Sequence, residues 1–463
     1  MRSIFLCGTM LALGACATAG ASDTAEAPTL FDKNPYASTY EAYPGAPTII
    51  TNVTVLDGVG GRIDNGAVWF ADGIIRGVGT EAEMRAASGD ALVVDGTGMT
   101  VTPGIIDVHS HLGNYPSPGV SSHSDGNEAV SPNTAYVWTE HSVWPQDPGF
   151  SRALANGGVT SLQVLPGSAN LFGGRSVTLK NVPGRNVMEM KFPGAPYGLK
   201  MACGENPKRV YGDKGGPGTR MGNIANTRAG WIEAQAYDKA WDDYEAGEGD
   251  RPDRDLALDT LRGVLDGDIR IHNHCYRADE MSIMLTMAEE FGYEVASFQH
   301  AVESYKIADL LRRSGTCSAM WADWYGFKME AYDAIPQNVA YVHNAGACAI
   351  VHSDDADGIQ RLNQEAAKAL AAGKRMGIEI SEAEAWQWLS ANPAKSLGIF
   401  EQTGSLEPGK MADVVLWNGN PFSVYTRPAK VWVDGALLYD ANDPSRRPVS
   451  DFELGQPGMG DVK

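Results

Sequence analysis

Between residues 101 and 400, short apolar runs alternate with amphipathic stretches, and this alternation limits the fold more than any other feature of the chain. The runs "GVTSLQVLP", "YGLKMACG", "IRIHNHC", "EVASFQHA", "CSAMWA" and "ACAIVHSD" have strand texture, and "ADEMSIMLTMAEEFG" and "ESYKIADLLRRSG" between them have helical periodicity. Strand–helix alternation over such a length predicts an α/β fold, a (β/α)8 barrel of parallel strands. Residues 46–100 and 401–445 read differently, as short strands punctuated by D-G and N-G turn signals. They are expected to fold together as a small β-sandwich built from both ends of the chain, leaving a tail at 446–463.

In a barrel of this kind the C-terminal strand ends build the active site. The first barrel run, "TPGIIDVHSH", ends on His109 and His111. Side chains alternate along a strand, so both imidazoles and Asp107 share one face. Burying three polar groups unpaired costs about 1–3 kcal/mol each, and a divalent ion would satisfy them. A bare H-x-H fits a satisfied structural pair equally well. Other runs add Lys200, His272 and His274, His300, and the pair Asp354–Asp355, so that several strands deliver metal-type ligands to one end. The stretch 112–150, rich in Gly, Pro, Ser and Asn with Tyr136, Trp138 and Trp144, is expected to form a lid or substrate wall, with a plain surface excursion as the alternative.

With "TPGIIDVHSH", "GGVTSLQVLPGSANLFGGRSVTLKN", "FQHAVESYKIADLL", "HSDD" and "NPAKSLGI…GSLEPGKMADVVLW" in order from about residue 48 to 440, the chain resembles the amidohydrolase superfamily, and within it the enzymes related to imidazolonepropionase. The resemblance implies a metal-bearing (β/α)8 barrel with a β-sandwich from both chain ends. It puts the metal ligands on His109, His111, His274, His300 and Asp354, and gives His272 no ligand role. "LKMACG" is similar to a peptidase-like branch whose strand-four lysine is carboxylated and bridges two metals, here Lys200, with Glu205 close by as the alternative bridge and Lys200 then an ordinary lysine paired with a carboxylate. The implied cofactor is one or two divalent ions, zinc by preference. An ion lowers the pKa of bound water and polarises a carbonyl. Asp354 would take the proton and pass it to the leaving amine, and Asp355, facing the other way, would serve a helix start.

The formal net charge of −20 argues against nucleic acid as a partner, because phosphate binding needs clustered Lys and Arg. The opening "MRSIFLCGTMLALGACATAG" has the charge–apolar–small order of an export signal. Its Leu13-Gly14-Ala15-Cys16 ending resembles a lipobox, which implies a signal over 1–16 and lipidation of Cys16, with an ordinary secretory signal and an incidental Cys16 as the alternative; residues 17–45, rich in Ala, Ser, Thr and Pro, read as a flexible tether. Ala17 after the cysteine points to the outer membrane, with membrane contact through the lipid anchor only. Cys203, Cys275, Cys317 and Cys348 lie in apolar surroundings and are expected as free buried thiols, with disulfides as the alternative in an oxidising compartment, where the sequence alone does not pair them.

Export sets the substrate expectation. A cell-surface scavenger of short peptides or N-acyl amino acids fits better than cytosolic histidine breakdown, and Arg175, Arg209 and Arg277 are candidates to hold a substrate carboxylate. A cyclic-amide hydrolase or deaminase on the same barrel is the main rival. A non-catalytic surface binding protein that keeps the fold is the second, and a homo-oligomer is left open.

Overall fold

The computed structural model describes residues 34–448. The expected signal, Cys16, the tether up to residue 33 and the tail beyond 448 lie outside the described residues. The chain divides into Met1–Ala37 and Ser38–Lys463. Of the first unit only residues 34–37 are described, without helix or strand.

The second unit is built on two eight-stranded sheets. The first takes β1 (Thr48–Leu56), β2 (Arg62–Ala71), β3 (Ile74–Thr80), β4 (Leu92–Asp95) and β5 (Thr100–Pro103) from one end of the chain. The barrel strands follow as β6 (Ile105–Ser110), β7 (Val159–Val164), β8 (Phe172–Lys180), β9 (Tyr197–Ala202), β10 (Ile269–Cys275), β11 (Val295–His300), β12 (Cys317–Met320) and β13 (Ala349–Val351). The chain then returns to the first sheet with β14 (Val414–Trp417), β15 (Pro428–Val433) and β16 (Ala436–Asp440). The small terminal domain is thus one continuous hydrogen-bonded sheet, ordered β16-β15-β14-β5-β1-β2-β3, with β4 beside β1. Its own core holds Ile50, Val55, Phe70, Val101, Leu416 and Trp432.

The barrel strands run in sequence order from β6 to β13. β6, β7, β8 and β9 are buried at every residue, as expected for strands covered on both faces. One strand departs from the parallel expectation: β8 is antiparallel to both neighbours. No helix separates it from β7, so the chain turns back as a hairpin where a parallel strand would need a helical crossover. Gly174 makes the start of β8 possible. Its φ is +117°, and a Cβ there would lie 2.5 Å from the Val137 carbonyl oxygen.

Among the described residues no ladder joins β13 back to β6. The seam is closed by other backbone. Ile106 N–H donates to the Leu389 carbonyl (2.8 Å) and Val351 N–H to the Trp388 carbonyl (3.1 Å), while at the mouth Asp354 N–H donates to the His109 carbonyl (3.0 Å).

The cysteines correct the free-thiol expectation. Cys203 is bonded to Cys275 and Cys317 to Cys348. In each pair the two residues stand at matching positions of neighbouring parallel strands: Ala202 pairs with His274, and Ser318 with Ala349. Register therefore brings together cysteines far apart in sequence.

Candidate metal centre

His109 and His111 point into the mouth of the barrel, each Nε2 close to the same carboxylate oxygen of Asp354, at 3.2 and 3.3 Å. His300 Nδ1 lies 3.9 Å from the other Asp354 oxygen. The His274 ring is 4.7 Å from that of His300, and Lys200 Nζ is 3.4 Å from His109 Nε2. All six residues expected around the metal therefore converge. Two of them hold left-handed backbone, His300 at φ +70° and Asp354 at φ +78°. For non-glycine residues this costs of order 1–3 kcal/mol and persists only where neighbours enforce it. At Asp354 the enforcing group is Asp107, which accepts from Ser353 N–H (3.3 Å) and from the Ser353 hydroxyl.

Hydrogen bonds at the far ring nitrogens select the tautomers of the first pair. His109 Nδ1 meets Gln299 Oε1 at 3.0 Å and His111 Nδ1 meets the Leu165 carbonyl at 2.8 Å. An acceptor at Nδ1 keeps the proton there and leaves the Nε2 lone pair facing the cluster. Gln299 is itself aimed by donating to Ser297 Oγ (2.8 Å), and Ser297 Oγ meets His272 Nδ1 at 2.9 Å. His272 thus ends a supporting chain. Gly198 makes room for it, since a Cβ there would come within 2.6 Å of the ring.

Burial and then the charge of Lys200 push His109 down to about 4, and burial holds His274, His300 and His352 well below the usual imidazole range. Against the cost of burial, His300 and His109 hold the Asp354 carboxyl well below the usual carboxylate range. The Nδ1 atoms of His274 and His300 and both ring nitrogens of His352 are buried with no hydrogen-bond partner among the described residues. Neutral imidazoles with free nitrogens beside an ionised carboxylate form a donor set that fits a divalent ion. His352 is an unforeseen member, its ligand atoms within 4.8 Å of those of His109 and His300. It lies two residues before Asp354, on the same face of β13 extended, and that period-two spacing in "HSDD" was the available signal.

The two candidates for the bridge separate. Lys200 is fully buried in the cluster, and among the described residues no carboxylate lies within ion-pair distance of it. Glu205 opens the helix Glu205–Tyr211 and faces Lys328 at 3.7 Å instead. Asp355 behaves as a turn cap, accepting from the N–H groups of Asp357 (2.7 Å) and Gly358 (3.1 Å).

Among the described residues, none of the three arginines makes a hydrogen bond or ion pair with the cluster. Arg175, opposite Leu199 on the outer face of the barrel wall, donates to Thr260 Oγ1 (2.8 Å) under the Trp138 ring. Arg277 is paired with its neighbour Asp279 (2.8 Å), and Arg209 is exposed on the helix Glu205–Tyr211. A different wall flanks the histidines. The Trp321 ring stacks on His300 at 4.4 Å and donates from Nε1 to the Ser353 carbonyl (2.9 Å), Trp324 stacks on Trp321, and Tyr276 stacks on His300 at 5.5 Å. The 112–150 stretch is tied down at both ends rather than loose: Asp147 accepts from Gly113 N–H (2.9 Å), and Asn170 reaches the Glu128 and Ser131 carbonyls (2.9 and 2.8 Å).

Residues 332–438 match the model of the Amidohydrolase family. A solved amidohydrolase from Thermotoga maritima MSB8 is 33% identical, superposes with a TM-score of 0.77, and covers 85% of this chain with 100% of its own. The amidohydrolase tasK of Hapsidospora irregularis is 31% identical over 433 residues, 86% of this chain and 43% of that protein, so the chain spans less than half of its length. An imidazolonepropionase of Mesorhizobium japonicum is 25% identical over 385 residues, 79% of this chain and 90% of that enzyme.

Proposed function

The chain belongs to the amidohydrolase family, and from that premise we propose that it hydrolyses a linear amide or peptide bond of a small substrate at a metal centre held by His109, His111, Lys200, His274, His300 and Asp354. Hydrolysis of a carbon–nitrogen bond comes with the family; the linear amide, in a dipeptide or N-acyl amino acid, is the proposal. The observation that carries it is Asp354, an ionised carboxylate within 3.3 Å of both H-x-H imidazoles at the open end of the barrel. A divalent ion, zinc by the nature of an imidazole-rich set, supplies when bound a water of lowered pKa and a polarised carbonyl. Asp354 accepts the water proton and returns it to the departing nitrogen. Gln299 and the Leu165 carbonyl keep the first two imidazoles in the ligating tautomer. Lys200 adds carbon dioxide through its neutral amine, forming a new N–C bond and releasing a proton. The resulting anion would be attracted to bound divalent ions, which an ammonium there would repel.

The relationship to an imidazolonepropionase over 90% of that enzyme favours a second reading, a cyclic amide as substrate. Turnover of dipeptides and N-acyl amino acids against cyclic amides by the metal-loaded chain, with metal content measured, decides between them. Turnover of cyclic amides alone would reject the linear-amide reading. The proposal extends to location: export and anchoring through Cys16. Besides the lipobox-like ending, the two disulfides support it, because such bonds persist in oxidising compartments. Cys16→Ser is expected to release the chain from the membrane fraction; unchanged fractionation would reject the anchor.

A further inference from the structure

A lysine outside the cluster reaches it through a single side chain. Lys328 lies in the segment after β12, with its side chain 18% exposed. Its ammonium sits over the Tyr276 ring, 4.0 Å from the centroid, and donates to Asn206 Oδ1 at 3.3 Å. The other end of that carboxamide, Asn206 Nδ2, is 3.4 Å from His274 Nε2. The ammonium is therefore one side-chain amide away from a metal-site histidine. The Tyr276 ring beneath it stands edge-on to His274 at 4.8 Å and stacks on His300. Its only carboxylate within ion-pair distance among the described residues is Glu205, at a loose 3.7 Å. Beside it the apolar wall continues outward from Trp321 to Phe327, which packs edge-on to Trp321 at 5.7 Å and is 56% exposed.

We infer that Lys328 is the residue that recognises a free carboxylate on the substrate, and that the Trp321–Phe327 face takes the apolar group next to that carboxylate. The inference rests on the amide-hydrolase reading and narrows it. If the scissile carbonyl sits at the His109–Asp354 cluster, an α-carboxylate on the leaving amine follows one carbon beyond the scissile nitrogen. That places it on the side of His274 and Asn206, where Lys328 waits. The anion would replace the loose Glu205 contact with a charge-assisted hydrogen bond in a half-buried site, the setting in which such bonds are strongest. The substrate class is an acyl or peptidyl derivative of an amino acid with a large apolar or aromatic side chain. Lys328 selects by charge and Trp321–Phe327 by contact area and ring stacking.

The test separates this inference from the hydrolysis reading by using ligands with no bond to cleave. The full zinc-loaded chain is titrated calorimetrically with 3-phenylpropionate and with the uncharged 3-phenylpropan-1-ol, zinc per chain being measured for every variant. The wild type is expected to bind the acid at least about tenfold more tightly than the alcohol. Lys328→Met should bring the two within about threefold at unchanged zinc content, Lys328→Arg should keep a preference for the acid, and Lys328→Glu should reverse it. Equal binding of acid and alcohol by the wild type would overturn the inference. So would an acid preference that survives in Lys328→Met, which would mean that the metal alone holds the carboxylate. Turnover of N-acetyl-L-phenylalanine is scored separately. A Lys328-dependent acid preference without turnover leaves the inference standing and removes the hydrolysis reading, and turnover without that preference does the reverse.

Discussion

Two lysines, Lys180 and Lys200, are both fully buried in the barrel wall, on neighbouring strands β8 and β9, and they are treated in opposite ways. Lys180 donates to both oxygens of Asp413 (3.0 Å each) and to Asp434 (2.8 Å). Thr403 and Tyr40 donate to those carboxylates in turn, so that a closed network ties the barrel to the terminal sheet. Lys200 has a histidine at 3.4 Å and no carboxylate in ion-pair range among the described residues, and burial pushes its ammonium down to about 7. A buried charge with a full set of partners holds a structure together. A buried amine without one is costly in the unliganded protein, and it makes sense only if something else arrives.

The largest effect that would break this contrast lies at Asp354. Asp354→Asn keeps the shape and cannot take a proton, so turnover should fall by roughly 10²–10⁴-fold with most of the metal retained. Asp355→Asn, which loses only a turn cap, should lose far less; kinetics and metal analysis on both variants check the pair, and the opposite pattern would shift the assignment by one residue. Next comes Lys180→Met, which strands two buried carboxylates. Chemical denaturation should register a loss of about 3–5 kcal/mol, with little change in metal affinity if the chain still folds. Gln299→Leu removes the acceptor that fixes the His109 tautomer, and metal affinity should drop by roughly 10–100-fold in a competition titration, while the fold stays intact by circular dichroism. The smallest effect sharpens the contrast most. Lys200→Met should leave the metal-free chain no less stable than the wild type, to within about 1 kcal/mol, because it removes a buried amine that has no carboxylate partner among the described residues and not a network. The same variant should lose metal and regain part of it with short carboxylic acids. Glu205→Ala should keep its metal.

The parts legible from the chain were those governed by strand periodicity. His109 and His111 share a face because they are two apart, and the same rule, applied to "HSDD", would have shown His352 beside Asp354. Where backbone departs from the regular strand, periodicity fails. Gln299 and His300 are adjacent and should face apart, yet the left-handed turn at His300 lets both serve the centre. The reversal of β8 has the same consequence on a larger scale. In a parallel strand Lys180 would end at the mouth, whereas here it reaches the opposite end of the barrel, and Arg175 faces outward onto Thr260. Lys328 lies in a segment with no period at all, and the disulfides depend on the register between strands, which a single chain does not display.

The open seam between β6 and β13 bears on the order of events as well as on geometry. His109 and Asp354 stand on either side of it, and the backbone that closes it, at Trp388 and Leu389, is made after both. The sheet that anchors Lys180 is finished later still, with β14 to β16. A chain that emerges N-terminus first therefore carries its H-x-H pair for most of its synthesis without the carboxylate that faces it and the backbone that closes the seam. An ion held by both His109 and Asp354 would therefore find its two sides together only once most of the polypeptide is present.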